Sequence, residues 1–461
     1  MILFEGVRIL SFAPQAVSEP VDLAVEGGRI VEVGAGLKAK YPQARRESVP
    51  AYVSPGLVCA HNHFYSALAR GLMVEIKASK DFAQQLVNLW WRLDRALDEG
   101  VIRSSALAGA ADAVMSGVTT VVDHHASPEL IDGSLSLLRE GFEEVGLRGI
   151  LCYETTDRNG KEGARDGVRE NLRFTGEVDS ERAAGGDPLV EAAIGAHAGF
   201  TLDEDTLAAL GDAVRTSGRG LHTHAAEDRY DATDSRRRFG ADLAVRLDRA
   251  GCLGPLSIIA HGLYLTRDEM ELINERDAFL AHNARSNMNN AVGYNTLLSG
   301  YRNSVLGTDG IGSDMLEEAA FAFFKHRDAG GSLWPPDFLA MLDRGNRILD
   351  RYFGAGAAGA AGVAEAAPAP GGRSGLAPRF GRVEAGFAAD LVFWDYDPPT
   401  PLVDGNLGGH IMFGMSSRSV HSVMVNGRFV VRDRIPQFDA ARIHVQSREQ
   451  TRRLWKRMQE R

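Results

Sequence analysis

The chain has 461 residues, 44% of them hydrophobic and 24% charged, a composition typical of folded globular proteins that excludes a largely disordered chain. Lys and Arg number 51 and Asp and Glu 61, and the net charge of −10 argues against nucleic acid or an anionic membrane as the main partner. The three cysteines are scattered and form no disulfide or zinc-thiolate pattern. We expect a cytoplasmic protein without a membrane span, because no apolar stretch approaches ~18 residues and the N-terminus lacks a signal-peptide pattern.

Short strands open the chain, and a regular alternation of strands and helices follows them. The first strand signals cover 2–10 and 21–33, and the second of these turns at Gly27-Gly28. Eight short apolar runs then alternate with helical patterns, at 56–60, 118–122, 147–153, 190–196, 220–223, 257–260, 278–281 and 304–307. Most runs are continuous, which is typical of strands buried on both faces. The sequence therefore predicts an α/β fold, with a (β/α)8 TIM-like barrel over 54–353.

Two patterns predict where helices of this barrel begin. Thr201-Leu-Asp-Glu204 and Thr266-Arg-Asp-Glu269 both have the spacing of a capping box. In that motif the threonine and glutamate side chains satisfy backbone amides at the helix start. Each pattern follows a predicted strand, so we expect a helix to begin at each threonine.

The chain ends predict a second, smaller domain. Strand signals return at 389–396 and 421–431, and Asn426-Gly427 predicts a tight turn within the second of them. Together with the first strands, they predict a small β-sandwich domain built from both chain ends, 1–53 plus 381–435. The Ala/Gly/Pro-rich segment 354–380 is interpreted as a connector, in which glycines weaken a helix over 355–367. Residues 436–461 are predicted to form a C-terminal basic surface helix.

Histidines and acids fall at the C-terminal ends of the predicted barrel strands. They are His61, His63, His124, His125, His197, His222, His224, Glu227, His261, His282 and Asp309. In a barrel, these strand ends meet on one face, where catalytic groups gather. The other histidines lie outside this pattern and receive no role.

Three elements of this set suggest a metal site. His61 and His63 lie two residues apart on a strand, so both imidazoles point the same way and can reach one cation. His222 and His224 also share a face, and their spacing leaves open which of them binds, or whether both do. Asp309 would complete a shell of three nitrogens and one oxygen, with flanking glycines that let the backbone turn sharply.

Each element also has a purely structural interpretation. Taken singly, Glu227 is an acid favoured by a helix dipole, Asp309 is an Asx-turn residue, and His261 is a satisfied core histidine. As parts of one site, Glu227 becomes a proton shuttle over a metal-bound water, and His261 a donor to the developing oxyanion. The charged run 157–182 is interpreted as a solvated helix with loops, and Trp90, Trp91 and Leu93 as a packed helix face.

Several segments resemble the amidohydrolase superfamily. They are PGLVCAHNHFYSALARGL (55–72), HTHAAE (222–227), AHG (260–262), HNARSNMNN (282–290) and GTDG (307–310). They are similar to its cytosine deaminase-like branch, which includes chlorohydrolases and nucleobase or nucleoside deaminases. Three further segments, LWWRLDRAL (89–97), DHHASP (123–128) and DYDPPTPL (395–402), resemble most closely the SsnA-type aminohydrolases.

The resemblance implies a role for each matched residue. One divalent metal, zinc first and iron or manganese as alternatives, would be bound by His61, His63, His224 and Asp309, which selects His224 over His222. The catalytic residues would be Glu227 as proton shuttle, His261 and Asp309. The substrate would be contacted by His197 and Asp94.

Two departures from the family pattern refine this expectation. The fourth strand ends AIGAHAGF (193–200), without the lysine that carries a second metal in binuclear members, so a single metal is favoured. Tyr65-Ser66 stands where purine-type deaminases often carry a glutamine, which argues against guanine as substrate.

We therefore expect a metal-dependent hydrolase acting on a non-peptide C–N bond. The expected reaction deaminates a small amino-substituted heterocycle, purine, pyrimidine or pterin-like, and releases ammonia. A hydantoinase-like cyclic amide or imide hydrolase and an aryl chlorohydrolase are the alternatives, and a catalytically silent metal-binding protein is the third. The oligomeric state is left open, and a homodimer is one of the states that the sequence allows.

Overall fold

The computed structural model describes residues 1–354 and 378–461, and it confirms the eight-stranded α/β barrel. The barrel strands are Leu57–Asn62, Val118–His125, Arg148–Tyr153, Val190–Ala192 with Ile194–Ala198, Leu221–Ala225, Ile258–His261, Phe279–His282 and Ser304–Leu306. The longer helices that follow them are Glu99–Met115, Ser134–Val145, Gly160–Ala183, Glu204–Ser217, Arg229–Phe239, Leu243–Arg249, Arg267–Glu275, Ala284–Asn289, Met315–Asp328 and Pro335–Phe353.

The barrel strands lie beside their neighbours in chain order, and the pairings within each sheet are parallel from the third strand onward. The strands up to Val190–Ala192 form a four-stranded sheet, and those from Ile194–Ala198 onward form a five-stranded sheet. Isolated parallel bridges, Thr155 to Ala196 and Asn62 to Asp309, join the two sheets on either side. The barrel strands are buried throughout, which explains why the sequence shows continuous apolar runs rather than alternation.

One of the two predicted helix starts is correct. Thr266 forms the capping box with Glu269 at the start of Arg267–Glu275. The prediction for Thr201 is wrong, because its hydroxyl donates to the Ala198 carbonyl at 2.9 Å and lies 2.9 Å from the His197 ring. The helix after the fourth strand therefore begins only at Glu204.

Residues 1–59, 113–120 and 314–437 form one compact unit. It contains a ten-stranded sheet that draws on both ends of the chain, as predicted. The strands are Ile2–Phe12, Gln15–Val17, Val21–Glu26, Arg29–Gly34, Arg45–Glu47, Tyr52–Pro55, Leu391–Trp394, Val420–Val425, Arg428–Arg432 and Ile435–Pro436. The predicted turn at Asn426-Gly427 is confirmed, with φ of 48° and 71° at its two residues, as a type I′ hairpin needs. Short helices here are Leu37–Lys40 and Leu407–Phe413.

Residues 60–112, 121–313 and 438–461 form the other compact unit. Helical turns at Phe64–Ala69, Phe82–Gln85, Leu86–Trp90 and Trp91–Asp94 follow its first strand, and Ala440–Gln459 ends the chain. This last helix buries Leu454 and Met458 in a cluster with Leu93 and Val101, and its basic residues lie mostly on the surface. Residues 355–377 of the predicted connector, with its candidate helix, lie outside the described residues. Among the described helices, none offers the apolar length that a bilayer crossing requires.

Candidate active site

Four side chains converge where the first, fifth and eighth barrel strands end. One donor atom each of His61, His63, His224 and Asp309 lies within 4.8 Å of all the others. The Nε2 atom of His63 is 3.0 Å from Asp309 Oδ1 and 3.1 Å from His224 Nε2. Such separations suit donors that share one ion at about 2.0–2.1 Å, so this cluster is able to bind a metal.

Backbone carbonyls orient two of these imidazoles. The Nδ1 atom of His63 donates to the carbonyl oxygen of His124 at 2.6 Å, and Nδ1 of His224 donates to that of His197 at 3.0 Å. A neutral imidazole has one N–H, so in its neutral form a ring held in this way turns the lone pair of Nε2 toward the cluster. The rings are therefore set in the tautomer that a metal ligand requires. Without a metal, burial would lower the pKa of His63, but its hydrogen bond to Asp309 raises it to about 9.

His222 lies behind the cluster rather than in it. Its Nε2 atom is 2.8 Å from Nδ1 of His61, and both rings are fully buried. Of the two histidines on the fifth strand, His224 thus belongs to the four-residue cluster, whereas His222 contacts the ring of His61, a member of that cluster.

Two site residues adopt the left-handed backbone region, where L-residues are uncommon. Asp309 has φ of 53° and His261 has φ of 72°. The predicted role of the glycines beside Asp309 is wrong in its detail, because the sharp turn is made by Asp309 itself. Gly307 is needed for space instead, since a Cβ there would lie 2.7 Å from Cβ of His61. Strain of about 1–3 kcal/mol per such residue is typical of functional sites.

Glu227 and His261 lie beside the second carboxylate oxygen, Oδ2, of Asp309. The Nε2 atom of His261 lies 3.6 Å from Glu227 Oε2 and 3.9 Å from Asp309 Oδ2. Burial and the nearby Asp309 raise the pKa of Glu227 well above its usual range. Burial alone would also raise the pKa of Asp309, but hydrogen bonding and charge from His63 lower it below its usual range. The pKa values of these two neighbouring carboxyl groups are therefore shifted in opposite directions.

Asparagine and serine side chains from the segment after the seventh strand hold these groups in place. Asn287 Oδ1 lies 2.8 Å from Nδ1 of His261, and Ser286 donates its hydroxyl to Asp309 Oδ2. Asn290 Nδ2 lies 3.4 Å from Glu227. Nothing in the sequence singles out these three residues within that segment.

The cluster opens into a cleft of about 790 Å³, part of which is open to solvent. His197 and Asp94, the two predicted substrate contacts, both line it. Leu93 is fully buried, and Trp90 and Trp91 pack against hydrophobic clusters, as predicted, while both also line the cleft. A π-helical turn over Leu86–Trp90 precedes them, and such turns are frequent at functional sites.

Asp94 is paired inside the protein. One of its oxygens accepts a hydrogen bond from the guanidinium of Arg158, which also stacks over the ring of Trp91 at 4.9 Å. Burial raises the pKa of Asp94 to about 6, although Arg158 opposes this. The prediction of a solvated helix with loops over 157–182 is wrong at Arg158, whose side chain is only 7% exposed.

Glu154 is a site residue that the sequence reasoning missed. It directly follows the third barrel strand, lines the cleft and is buried. Glu154 stands at the C-terminal end of a barrel strand, as the histidines do, so the same pattern in the sequence identifies it. The ring of His124 packs against those of His61, His63 and His224, and its Nδ1 atom lies 3.3 Å from Glu154 Oε2. His125 bonds to Ser127.

A sequence profile described as the Amidohydrolase family matches residues 52–342. The chain belongs to the amidohydrolase family. One relative of this amidohydrolase is a 5-methylthioadenosine/S-adenosylhomocysteine deaminase of Thermococcus sibiricus, 27% identical over 417 residues that cover 89% of each chain. This family membership, with deaminase-named relatives, shows a hydrolytic enzyme that acts on C–N bonds, as the sequence predicted.

Two solved structures share the fold of this amidohydrolase. An adenosine deaminase from Xanthomonas campestris with bound zinc has a TM-score of 0.79 and 22% identity, over 99% of this chain and 98% of that one. The atrazine chlorohydrolase TrzN from Arthrobacter aurescens TC1, complexed with zinc, has a TM-score of 0.76 and 22% identity, over 98% and 100% of the two chains. At this identity the likeness concerns the fold alone.

Proposed function

We propose that this amidohydrolase removes the amino group of an amino-substituted heterocycle, of the purine, pyrimidine or pterin type, and releases ammonia. The observation that carries the proposal is the meeting of Glu227, His261 and Asp309 beside the histidine cluster. The deaminase relative supports the same reaction class. Aromatic and polar side chains together line the cleft, as is usual for sites that bind small molecules.

One divalent ion would be held by His61, His63, His224 and Asp309. Three imidazoles and a carboxylate suit zinc first, and iron or manganese as alternatives. The donor spacing and the carbonyl-fixed rings support this fit. A single ion is proposed because the fourth strand ends without a lysine. When bound, such an ion lowers the pKa of a water from about 15.7 toward about 7.

Glu227 and Asp309 would divide the proton transfers. Asp309 takes a proton from the attacking water as the water oxygen bonds to the carbon that bears the amino group. Glu227, whose pKa is raised well above its usual range by burial and by Asp309, donates in its protonated form to the adjacent ring nitrogen. As a carboxylate, Glu227 then carries the proton of the added hydroxyl to the amino group, so that the C–N bond breaks and ammonia leaves.

Three further side chains would orient the substrate. His261 Nε2 lies beside both proton carriers, where it can polarise the reacting group. His197 and Asp94 line the same cleft. Asp94 would contact the substrate through its second oxygen, because the first is bonded to Arg158.

A coupled ammonia assay on metal-loaded protein, with a panel of aminopurines, aminopyrimidines and pterins, tests the proposed reaction. Ammonia released with the ring intact is the expected result. Ring opening without ammonia would indicate a cyclic amide or imide hydrolase, halide release an aryl chlorohydrolase, and no turnover a silent metal-binding protein. His63→Ala tests the ligand set by metal analysis, and a full equivalent of metal in this variant would contradict it.

A further inference from the structure

One wall of the cleft is formed by the segment 82–90, which follows the first barrel strand. Phe82 and Leu86, on this segment, both line the cleft. The same two side chains are buried in a cluster with Leu263 and Val292, so apolar contacts hold the segment against the barrel. Apolar contacts are not directional, and the exact placement of the segment therefore depends on its polar bonds.

One polar side chain of the segment reaches across to the helix that follows the seventh strand. Gln85 donates from Nε2 to Oδ1 of Asn290 at 2.9 Å, between positions that are 205 residues apart in the sequence. The neighbouring Gln84 bonds locally instead, since its Oε1 atom accepts from the backbone amide of Lys80 at 3.1 Å. Gln85 thus ties the segment to Asn290, which also lines the cleft.

The hydrogen bonds around Asn290 fix the direction in which its amide points. Ser286 gives its hydroxyl hydrogen to Asp309, so the Ser286 oxygen accepts from Asn290 Nδ2 at 3.3 Å. The same Nδ2 atom lies 3.4 Å from Oε1 of Glu227. The amide nitrogen therefore faces the two acids, and the amide oxygen faces away from them. This arrangement needs a donor at position 85, and the glutamine side chain supplies one.

The bond between Gln85 and Asn290 also has a purely structural interpretation, in which it only fastens the segment to the barrel. The geometry favours a role at the site, because Asn290 contacts both proposed proton carriers. It contacts Glu227 directly, and it contacts Asp309 through Ser286. Groups at a reacting centre must be held within about 0.5 Å of their productive position, which requires this kind of support.

We propose that Gln85 is a positioning residue, whose hydrogen bond to Asn290 aligns Glu227 when the segment 82–90 is in place on the cleft. A heterocycle that packs against Phe82 and Leu86 then meets a proton carrier that the same segment has helped to orient. This inference rests on the proposed function for its effect on turnover, but not for the link between the segment and Asn290.

A double-mutant cycle on the metal-loaded full chain tests this role. Gln85→Met removes the donor at similar side-chain length, and Asn290→Ala removes the group through which Gln85 acts. We expect Gln85→Met to lower kcat by about 3- to 10-fold with KM and metal content unchanged. The loss is modest because Asn289 Nδ2, at 3.2 Å, is a second donor to the Asn290 oxygen. In the Asn290→Ala background, Gln85→Met should lower kcat no further. Gln84→Met, the same change one residue earlier, should leave kcat at the wild-type value.

A purely structural bond would cost the same fraction of kcat in both backgrounds. Additive losses would therefore overturn the inference, as would a wild-type kcat in Gln85→Met. Circular dichroism shows whether this variant is folded. If it is not, Gln85→Glu replaces it in the cycle, because a carboxylate keeps the length of the side chain and has no donor.

Hydrogen–deuterium exchange separates this inference from the proposed reaction. In Gln85→Met the backbone amides of 286–292 should exchange faster than in wild type, whereas in Gln84→Met they should not. Equal exchange in the two variants would overturn the link between the segment and Asn290. Should the ammonia panel fail while this difference is found, only the proposed reaction is wrong. Should ammonia be released while the losses of kcat are additive, only this inference is wrong.

Discussion

His222 should control how tightly the proposed site holds its metal, although it donates no atom to the four-residue cluster. Its hydrogen bond to Nδ1 of His61, at 2.8 Å between two fully buried rings, fixes the rotation of a proposed ligand. His222→Leu removes this bond at nearly constant volume. Loss of a buried hydrogen bond costs about 1–3 kcal/mol, which corresponds to metal binding weaker by about 5- to 150-fold. This span contains the loss of about 10- to 100-fold found for partners of metal ligands.

Competition with a chromophoric zinc chelator measures this Kd on the apo protein. His222→Gln, whose amide reaches a similar position, should recover part of the affinity. His125→Leu is the matched control, because it removes a buried histidine whose bond is to Ser127, 3.0 Å away, and not to a proposed ligand. An unchanged Kd in His222→Leu, or an equal loss in His125→Leu, would refute the reasoning.

Three further predictions concern the carboxyl groups of the site. Glu227→Gln should lower kcat by roughly 10²–10⁴-fold with metal content unchanged, and full activity in this variant would refute the shuttle. Arg158→Met should lower the free energy of unfolding in urea by about 3–5 kcal/mol, because Asp94 loses the partner of a buried ion pair. The double variant Asp94→Asn with Arg158→Met should recover much of the lost free energy, and no recovery would contradict the pairing. The folded-state pKa of Glu154 is lowered from 4.5 to about 2, so its contribution to stability is present above pH 4.5 and is lost as the pH falls toward 2. The free energy of unfolding of the apo protein in urea should therefore change less between these pH values in Glu154→Gln than in wild type. An equal pH dependence of this free energy in the two proteins would count against the prediction.

The strand-end pattern was readable in the sequence because barrel geometry imposes it. Parallel strands carry their functional groups at one end, so the sequence alone was enough to locate His61, His63, Glu227 and Asp309 at the same end of the barrel. The continuous apolar runs predicted the barrel for a related reason, since its strands are buried on both faces. Spacing within one strand could not separate His222 from His224, because both side chains point to the same face.

Tertiary structure decided what depends on partners distant in sequence. Arg158 belongs to a charged run that looks solvated, and only its approach to Asp94 and Trp91 makes it a buried part of the cleft wall. Thr201 has the spacing of a helix cap, yet its hydroxyl bonds the Ala198 carbonyl instead. The neighbours of the Glu154 carboxyl, His124 and His197, likewise cannot be read from the sequence. The sequence shows which side chains lie at the strand ends. Their hydrogen-bond partners and neighbouring charges come from distant parts of the chain, so only the folded structure determines them.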